Sequence, residues 1–216
     1  MSLSKPEENE ALFESVAQDL IQKGCSINEG AIPLSLAEAL EREVKGLSCD
    51  KFKAAGIGRE QEFTRNETVR SDEIAWISEE TEAGKAWLDW AAQLQSYMNR
   101  RLYLGLFSFE SHFAHYSAGD FYQRHLDAFK GQSNRTLTLV AYFNRDWQAE
   151  HGGELVVYKD QDDQEGQKVL PSFATLVVFL SEEFPHEVLP ANKDRYSIVG
   201  WFRVNSSSGE RVDPPE

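Results

Sequence analysis

The sequence has little cysteine, and its cysteines are not spaced for zinc binding. Among 216 residues there are only Cys25 and Cys49, with no CxxC arrangement. A disulfide scaffold and a zinc knuckle are therefore not supported, and a reducing compartment is expected. The first residues, MSLSKPEENEALFESVAQDL, lack the basic segment and apolar run of an export signal. We therefore expect a cytoplasmic location.

Long apolar runs and an excess of basic residues are also missing. No stretch approaches the length of about 18 apolar residues that a membrane helix needs, so no membrane partner is expected. Asp and Glu number 36 against 22 Lys and Arg, which gives a formal net charge of −14. This charge repels a phosphate backbone and disfavours nucleic acid as a partner. A basic protein segment fits it better, although an acidic balance often serves only solubility.

The first half of the chain is dominated by helical periodicity. It is present in EENEALFESVAQDLIQKG, IPLSLAEALEREVKG and TEAGKAWLDWAAQLQSYMNRRLYLGL. In the first of these, Phe13, Val16 and Leu20 share one face. In the second, Ser35 and Glu38 have capping-box spacing and predict the helix start. Between the second and third, AAGIGREQEFTRNETVRSDEIAWI loses the helical period and predicts two strands joined by a long exposed loop.

The second half of the chain has the pattern of short strands. After Gly105 they follow one another as LFSFESHFAHYS, TLTLVAYFN, GELVVYK, KVLP, FATLVVFL, HEVLP and RYSIVGWFRV. Short strands at this spacing predict a barrel or a sandwich. We therefore expect one domain over residues 1–216, with helical support over 1–104 and an all-β core over 105–205. A β-loop-β lid is expected near 56–78 and a polar tail over 206–216.

A candidate metal site begins in FYQRHLDAFK. In an extended chain His125 and Asp127 point to the same face. A histidine beside an aspartate is often only a hydrogen-bonded pair, but His186 and Arg195 follow in FPHEVLPANKDRYSIVGWF, where a turn can bring both to the same barrel mouth. Two histidines and one carboxylate occupy one face of an octahedral metal and leave three positions open. Non-haem Fe(II) oxygenases prefer this ligand set.

Such a site also needs a cation for the far carboxylate of an organic acid co-substrate. The planar, permanently charged guanidinium of Arg195 is the candidate. Tyr142 lies on one face of the strand RTLTLVAYF together with Thr136, Thr138 and Val140, so its hydroxyl can add a hydrogen bond to that carboxylate. An ordinary core tyrosine explains Tyr142 equally well.

The stretches HYSAGDFYQRHLDA, AYFNRDWQAEHGGELVVYK and FPHEVLPANKDRYSIVGWF resemble the prolyl hydroxylases of the Fe(II)- and 2-oxoglutarate-dependent oxygenase superfamily. The similarity is greatest to the oxygen-sensing type and its bacterial relatives, and GIGREQ and VRSDEIAWI extend it upstream. The resemblance implies an α+β, mainly β fold, a double-stranded β-helix or jelly-roll barrel supported by N-terminal helices.

The resemblance also assigns roles to individual residues. His125, Asp127 and His186 become the iron ligands, and Arg195 with Tyr142 becomes the clamp on the co-substrate. Pocket-lining tyrosines of the family correspond to Tyr116 and Tyr122, and its apolar walls correspond to Leu155 and Trp201. The chain departs from the oxygen-sensing pattern at Val199, where a hydroxylic residue is usual, and in a turn before His125 that is one residue shorter.

The implied activity is hydroxylation of a prolyl residue at C4 in a protein substrate. It requires Fe(II) as cofactor, consumes 2-oxoglutarate and O2, and releases succinate and CO2. Ascorbate is expected to stimulate it. For the bacterial branch the implied target is a proline in a flexible loop of translation elongation factor Tu. Two alternatives stay open: the same iron chemistry on another substrate, such as a free amino acid or an alkylated base, and a barrel that binds metal or peptide without turnover.

Overall fold

Two antiparallel sheets face each other, and three helices cover the outer face of the larger one. This is seen in a computed structural model, which describes residues 6–54, 69–128 and 134–205. The helices are α1 (Pro6–Lys23), α2 (Leu34–Gly46) and α3 (Glu82–Leu102). The strands are β1 (Cys25–Asn28), β2 (Lys53–Ala54), β3 (Glu73–Trp76), β4 (Leu106–Tyr116), β5 (Tyr122–His125), β6 (Arg135–Tyr142), β7 (Leu155–Val157), β8 (Gln167–Val169), β9 (Leu176–Leu180), β10 (His186–Val188) and β11 (Arg195–Val204).

The strand order is that of a double-stranded β-helix. The larger sheet has seven strands in the order β1-β9-β6-β11-β4-β3-β2, and the smaller has four in the order β5-β10-β7-β8. The strands from β4 onwards alternate between the two sheets, except that β7 and β8 both lie in the smaller one, so residues distant in sequence become neighbours. The mainly β barrel supported by helices is therefore confirmed.

Alternation along the central strands separates the helical core from the interior between the sheets. On β6, Leu137, Leu139 and Ala141 pack into the core that contains the helices, whereas Val140 and Tyr142 face the smaller sheet. Because successive side chains of a strand point to opposite faces, one strand supports the fold with one face and lines the interior with the other.

The helical layer follows the predicted periodicity, but one predicted cap is absent. In α3 the rings of Trp87 and Trp90 are fully buried and stacked at 5.4 Å. Thr81 caps this helix by accepting a hydrogen bond from the Gly84 amide at 2.9 Å. At α2 the N-cap is Pro33, without a side-chain cap bond. The capping box predicted from Ser35 is wrong, because the helix starts before Ser35 and places it inside the first turn.

The region before residue 105 supplies strands as well as helices. β1, which the sequence pattern did not predict, pairs with β9 at one edge of the larger sheet, and β2 and β3 extend the opposite edge. The division at 104/105 stays a prediction. Most of the predicted lid falls on 55–68, and the predicted tail on 206–216, both outside the described residues. Among the helices of the described residues, none has the length and apolar character needed to span a membrane.

Candidate metal and co-substrate site

Three side chains that the sequence singled out meet between β5 and β10. These strands pair so that His186 lies directly opposite His125, and Asp127 follows two residues after the end of β5. Nε2 of His125 lies 3.6 Å from Oδ1 of Asp127, and Nε2 of His186 lies 3.5 Å from Oδ2. One potential ligand atom from each residue falls within 4.8 Å of the others. This spacing fits three ligands around one metal ion.

Backbone carbonyls orient both imidazoles. Nδ1 of His125 donates to the Gln123 carbonyl at 2.8 Å, and Nδ1 of His186 donates to the Phe184 carbonyl at 3.0 Å. A carbonyl only accepts, so in each neutral ring the proton is on Nδ1 and the lone pair on Nε2 faces Asp127. The ring of Tyr122 also stacks on His125 with centroids 3.7 Å apart. Both rings therefore present the nitrogen that a metal requires.

The charges of the three side chains suit a divalent cation. Burial and, to a smaller extent, the nearby His125 lower the pKa of His186 to about 4, so His186 is neutral at neutral pH. Burial acts to raise the pKa of Asp127, but it is outweighed by the positive charge that the histidines carry when protonated and by a hydrogen bond from Thr138, so that pKa stays well below its usual value. A carboxylate with two imidazoles is a ligand set for Fe(II) and related metals, so the residues fit the metal that the resemblance implies.

Arg195 is a buried cation whose hydrogen-bond acceptors among the described residues are all neutral. Its side chain is 1% exposed. Nε donates to the Gly153 carbonyl at 2.8 Å, and a terminal nitrogen donates to the Ser197 hydroxyl at 3.3 Å. Its guanidinium lies 4.8 Å from the ring centre of Tyr116 and 5.0 Å from that of Tyr142. No carboxylate among the described residues forms an ion pair with it, and a buried charge without a counter-ion is costly.

Two polar groups of the predicted pocket lack hydrogen-bond partners among the described residues. They are the buried hydroxyl of Tyr142 and the buried indole N–H of Trp201. Burial raises the pKa of Tyr142 to about 12, against the opposing effect of Arg195, so the hydroxyl keeps its proton and can donate. A carboxylate bound here would accept a hydrogen bond from the Tyr142 hydroxyl and serve as the counter-ion of Arg195.

The remaining predicted pocket residues occupy two different places. Tyr116, Tyr142 and Leu155 belong to one apolar cluster between the sheets, against which Tyr122 also packs. Trp201 lies outside that cluster, opposite Thr138 on the neighbouring strand β6. Its ring is covered by the guanidinium of Arg135 at 3.6 Å and faces His112 at 5.5 Å.

The sequence analysis missed three residues that shape the site. Thr138 donates a hydrogen bond to Asp127 at 2.7 Å, and Ser181 contacts Thr138 at 2.9 Å. The position of Thr138 on the same face as Tyr142 was a usable signal, whereas nothing local marks Ser181. Gly153 supplies the carbonyl that fixes Arg195, and the Gly-Gly pair in the sequence was a signal for a close backbone approach there.

A double-stranded β-helix that brings two histidines and a carboxylate together between its sheets defines the class of non-haem metal-dependent oxygenases. Residues 111–203 match the model of the 2OG-Fe(II) oxygenase superfamily. A solved prolyl-4-hydroxylase from Pseudomonas putida is 37% identical, with a TM-score of 0.79, and the match covers 90% of this chain and 100% of that one. The chain therefore belongs to the 2OG-Fe(II) oxygenase superfamily, within its prolyl hydroxylase family.

Animal relatives give the same result. A Trichoplax adhaerens prolyl hydroxylase, solved with a hypoxia inducible factor oxygen degradation domain peptide, is 27% identical with a TM-score of 0.81, and the match covers 93% of this chain and 94% of that one. Mouse prolyl hydroxylase EGLN3 is 32% identical over 142 residues, 62% of this chain and 59% of the relative. Rat Egl nine homolog 1 is 34% identical over 85 residues, 39% of this chain and 25% of the relative. The chain thus spans less than two thirds of the length of each of these curated relatives.

Proposed function

We propose that the protein is an Fe(II)- and 2-oxoglutarate-dependent prolyl 4-hydroxylase that acts on a protein substrate. One atom of O2 enters C4 of a prolyl residue and the other enters succinate, which forms from 2-oxoglutarate with release of CO2. The observation that carries this proposal is the buried Arg195, which has no anionic partner among the described residues and shares the interior between the sheets with the cluster His125, Asp127 and His186. A dicarboxylate that extends from the cluster to Arg195 would provide ligands for a metal at one end and a counter-ion for the guanidinium at the other.

The roles of the side chains follow from their positions. His125, Asp127 and His186 would hold Fe(II), which when bound supplies the redox chemistry that cleaves O2. Arg195 would pair with the far carboxylate of 2-oxoglutarate, and the Tyr142 hydroxyl would donate to the same group. Apolar walls at Tyr116 and Leu155 keep water from this ion pair, and Trp201 offers an indole N–H further along β11. Water exclusion strengthens each of these polar contacts.

A protein substrate is supported by surface chemistry and by the relatives. Trp76 is 59% exposed and packs edge-on against His112 at 5.3 Å, and His112 in turn contacts Trp201. An exposed aromatic side chain beside the site favours a chain segment over a small free amino acid. The net charge of −14 favours a segment with Lys or Arg. From the resemblance to the bacterial branch we propose a loop proline of translation elongation factor Tu as the target, in the cytoplasm, with ascorbate as a stimulant.

The test is turnover by metal-reconstituted protein. Wild type and His186→Ala are incubated with Fe(II), 2-oxoglutarate, ascorbate and purified elongation factor Tu. Succinate is quantified, and the factor is digested for mass spectrometry. We expect wild type to form succinate and to add the mass of one oxygen atom to a prolyl peptide, and His186→Ala to do neither. A factor in which that proline is replaced by alanine controls for the assigned position.

Other outcomes contradict distinct parts of the proposal. Succinate without a modified factor would reject elongation factor Tu and support the same chemistry on another substrate. Metal binding without succinate, both alone and with substrate, would reject the enzyme and leave a barrel that binds metal without turnover. Equal succinate from wild type and His186→Ala would remove His186 from the site.

A further inference from the structure

Two buried hydroxyl groups lie behind Asp127 and have no role in the function proposed above. Oγ1 of Thr138 donates to Oδ2 of Asp127 at 2.7 Å, and the same oxygen lies 2.9 Å from Oγ of Ser181. Thr138 and Ser181 are both 0% exposed. The three side chains therefore form a short hydrogen-bonded row that ends on a candidate metal ligand and is closed to solvent.

The directions of these hydrogen bonds are fixed by the chemistry of the groups. An ionised carboxylate only accepts, so the single hydroxyl proton of Thr138 points to Asp127. Thr138 has no second proton, and the contact with Ser181 must then be a donation from Ser181 to Thr138. Each hydroxyl that accepts a hydrogen bond becomes a better donor, so Ser181 strengthens the bond that Thr138 makes to the carboxylate.

The backbone around the hydroxyl row is well paired. Thr138 lies in the middle of β6, opposite Phe179 on β9 and Trp201 on β11. Ser181 directly follows β9, and its amide donates to the Thr136 carbonyl at 3.1 Å. A side chain anchored on a central strand has few alternative positions, whereas Asp127 lies outside β5 and has no strand to fix it. The hydroxyl row therefore supplies the orientation that the backbone at Asp127 does not.

We propose that Thr138, backed by Ser181, is a positioning residue that occupies Oδ2 of Asp127 and presents Oδ1 alone to the metal. This inference rests on the proposed function. Two imidazoles and one carboxylate oxygen fill three of six octahedral positions and leave three for 2-oxoglutarate and O2. A carboxylate that bound through both oxygens would fill a fourth position. The hydroxyl row thus keeps the metal accessible as well as orienting its ligand.

The test measures Mn(II) binding, which needs no turnover. Metal-free wild type, Thr138→Val, Thr138→Ser and Ser181→Ala are titrated with Mn(II), and free Mn(II) is followed by electron paramagnetic resonance. Partners that orient a metal ligand typically contribute 10- to 100-fold in metal affinity. We expect Thr138→Val to raise the Mn(II) dissociation constant by roughly that factor, Ser181→Ala to raise it less, and Thr138→Ser to restore wild-type binding.

Thr175 offers a matched control. Its side chain is fully buried, and its hydroxyl has no hydrogen-bond partner among the described residues. It precedes Phe179, the residue paired with Thr138, by four positions, or roughly 13 Å along an extended chain. Thr175→Val makes the same chemical change in a buried site and is expected to leave Mn(II) affinity unchanged. A general effect of losing a buried hydroxyl would appear in both variants.

Crystal structures of the Mn(II) complexes provide the second readout. We expect one oxygen of Asp127 on the metal in wild type and both in Thr138→Val. Wild-type Mn(II) affinity in Thr138→Val, or binding through both oxygens in wild type, would overturn the inference while leaving the proposed function intact. Absence of Mn(II) binding by wild type would instead contradict the proposed function. If Thr138→Val does not fold, unchanged affinity in Ser181→Ala would still count against the hydroxyl row.

Discussion

At the scale of single residues, an unpaired hydroxyl distinguishes Tyr142 from tyrosines that only pack. Its oxygen is buried beside Arg195 without a hydrogen-bond partner among the described residues, which destabilises the ligand-free protein. Tyr142→Phe removes that cost, so we expect the free energy of unfolding without ligands to stay the same or rise by up to about 1 kcal/mol. The same change removes a donor to the 2-oxoglutarate carboxylate and should weaken that affinity about tenfold or more.

The opposite signs of the two effects make the Tyr142 prediction specific. Urea unfolding of metal-free protein measures the first, and calorimetric titration of the Mn(II) form with 2-oxoglutarate measures the second. Tyr97 is a suitable control, because its hydroxyl already donates to Glu14 at 2.7 Å in the helical layer. Tyr97→Phe should lower stability slightly and leave 2-oxoglutarate affinity unchanged. Loss of stability in Tyr142→Phe without loss of affinity would mean that the hydroxyl serves the fold.

Site residues that are neighbours in sequence could be predicted from the sequence pattern, whereas those brought together by strand pairing could not. His125 and Asp127 are only two residues apart, so they are neighbours by sequence alone, although β5 ends at His125 and Asp127 lies just beyond it. His186 reaches them only because β10 pairs with β5 in one particular register, which no local pattern encodes. The resemblance supplied that pairing. Ser181, just after the end of β9, was missed for the same reason.

At the scale of elements, the turn before β7 determines where Arg195 lies. Gly153 has φ of +70°, and its carbonyl accepts from Nε of Arg195. A Cβ atom added there would lie 3.1 Å from Cδ of Arg195 and 3.1 Å from Cβ of Ala191. Gly153→Ala should therefore displace the guanidinium and weaken 2-oxoglutarate binding roughly fivefold, the equivalent of one hydrogen bond of about 1 kcal/mol.

Gly30→Ala is a control that introduces the same backbone strain as Gly153→Ala without displacing a neighbouring side chain. Gly30 has a similar φ of +59°, but no atom lies within 4 Å of its added Cβ. Both variants should lose about 1–2 kcal/mol of stability for a non-glycine residue in the left-handed region. Only Gly153→Ala should raise the dissociation constant of 2-oxoglutarate, measured by calorimetry on the Mn(II) form. Equal 2-oxoglutarate affinities in the two variants would show that the turn does not control Arg195.

Elements with strong periodicity were predictable, and short or edge elements were not. α3 has a long helical pattern with one buried face, β11 is a ten-residue run buried on both faces, and both form where expected. β1 has only four residues, and it becomes a strand because β9 offers it an edge. The start of α2 illustrates another limit, since Pro33 rather than Ser35 is the N-cap, and its carbonyl accepts hydrogen bonds from the Leu36 and Ala37 amides.

At the scale of the whole molecule, two histidines are buried in their neutral form by parts of the chain distant in sequence. His112 lies between Trp76 from β3 and Trp201 from β11. Burial and the nearby charge of Arg70 lower the pKa of His112 to about 4 from an ordinary value of 6.5. Burial lowers that of His186 to about 4 as well. Assembly of the barrel, rather than any local feature, creates both shifts.

The pH dependence of stability follows from the depressed pKa values. The unfolded chain takes up a proton on His112 below about pH 6.5, whereas the folded protein does so only near pH 4, so stability falls as the pH drops through this window. Between neutral pH and about pH 5, His112 alone should account for about 2 kcal/mol of lost stability. The replaced side chain in His112→Gln cannot titrate. The free energy of unfolding of this variant should therefore fall by about 2 kcal/mol less than that of wild type over the same pH range.

Urea unfolding of metal-free wild type and His112→Gln at about pH 7.5 and about pH 5 measures the difference directly. Metal-free protein is required because a metal bound to His186 would add its own proton release. His186 still titrates in both proteins, so His112→Gln should retain part of the pH dependence rather than lose all of it. Identical losses in the two proteins would show that His112 is not buried in its neutral form, and that Trp76 and Trp201 do not enclose it as described.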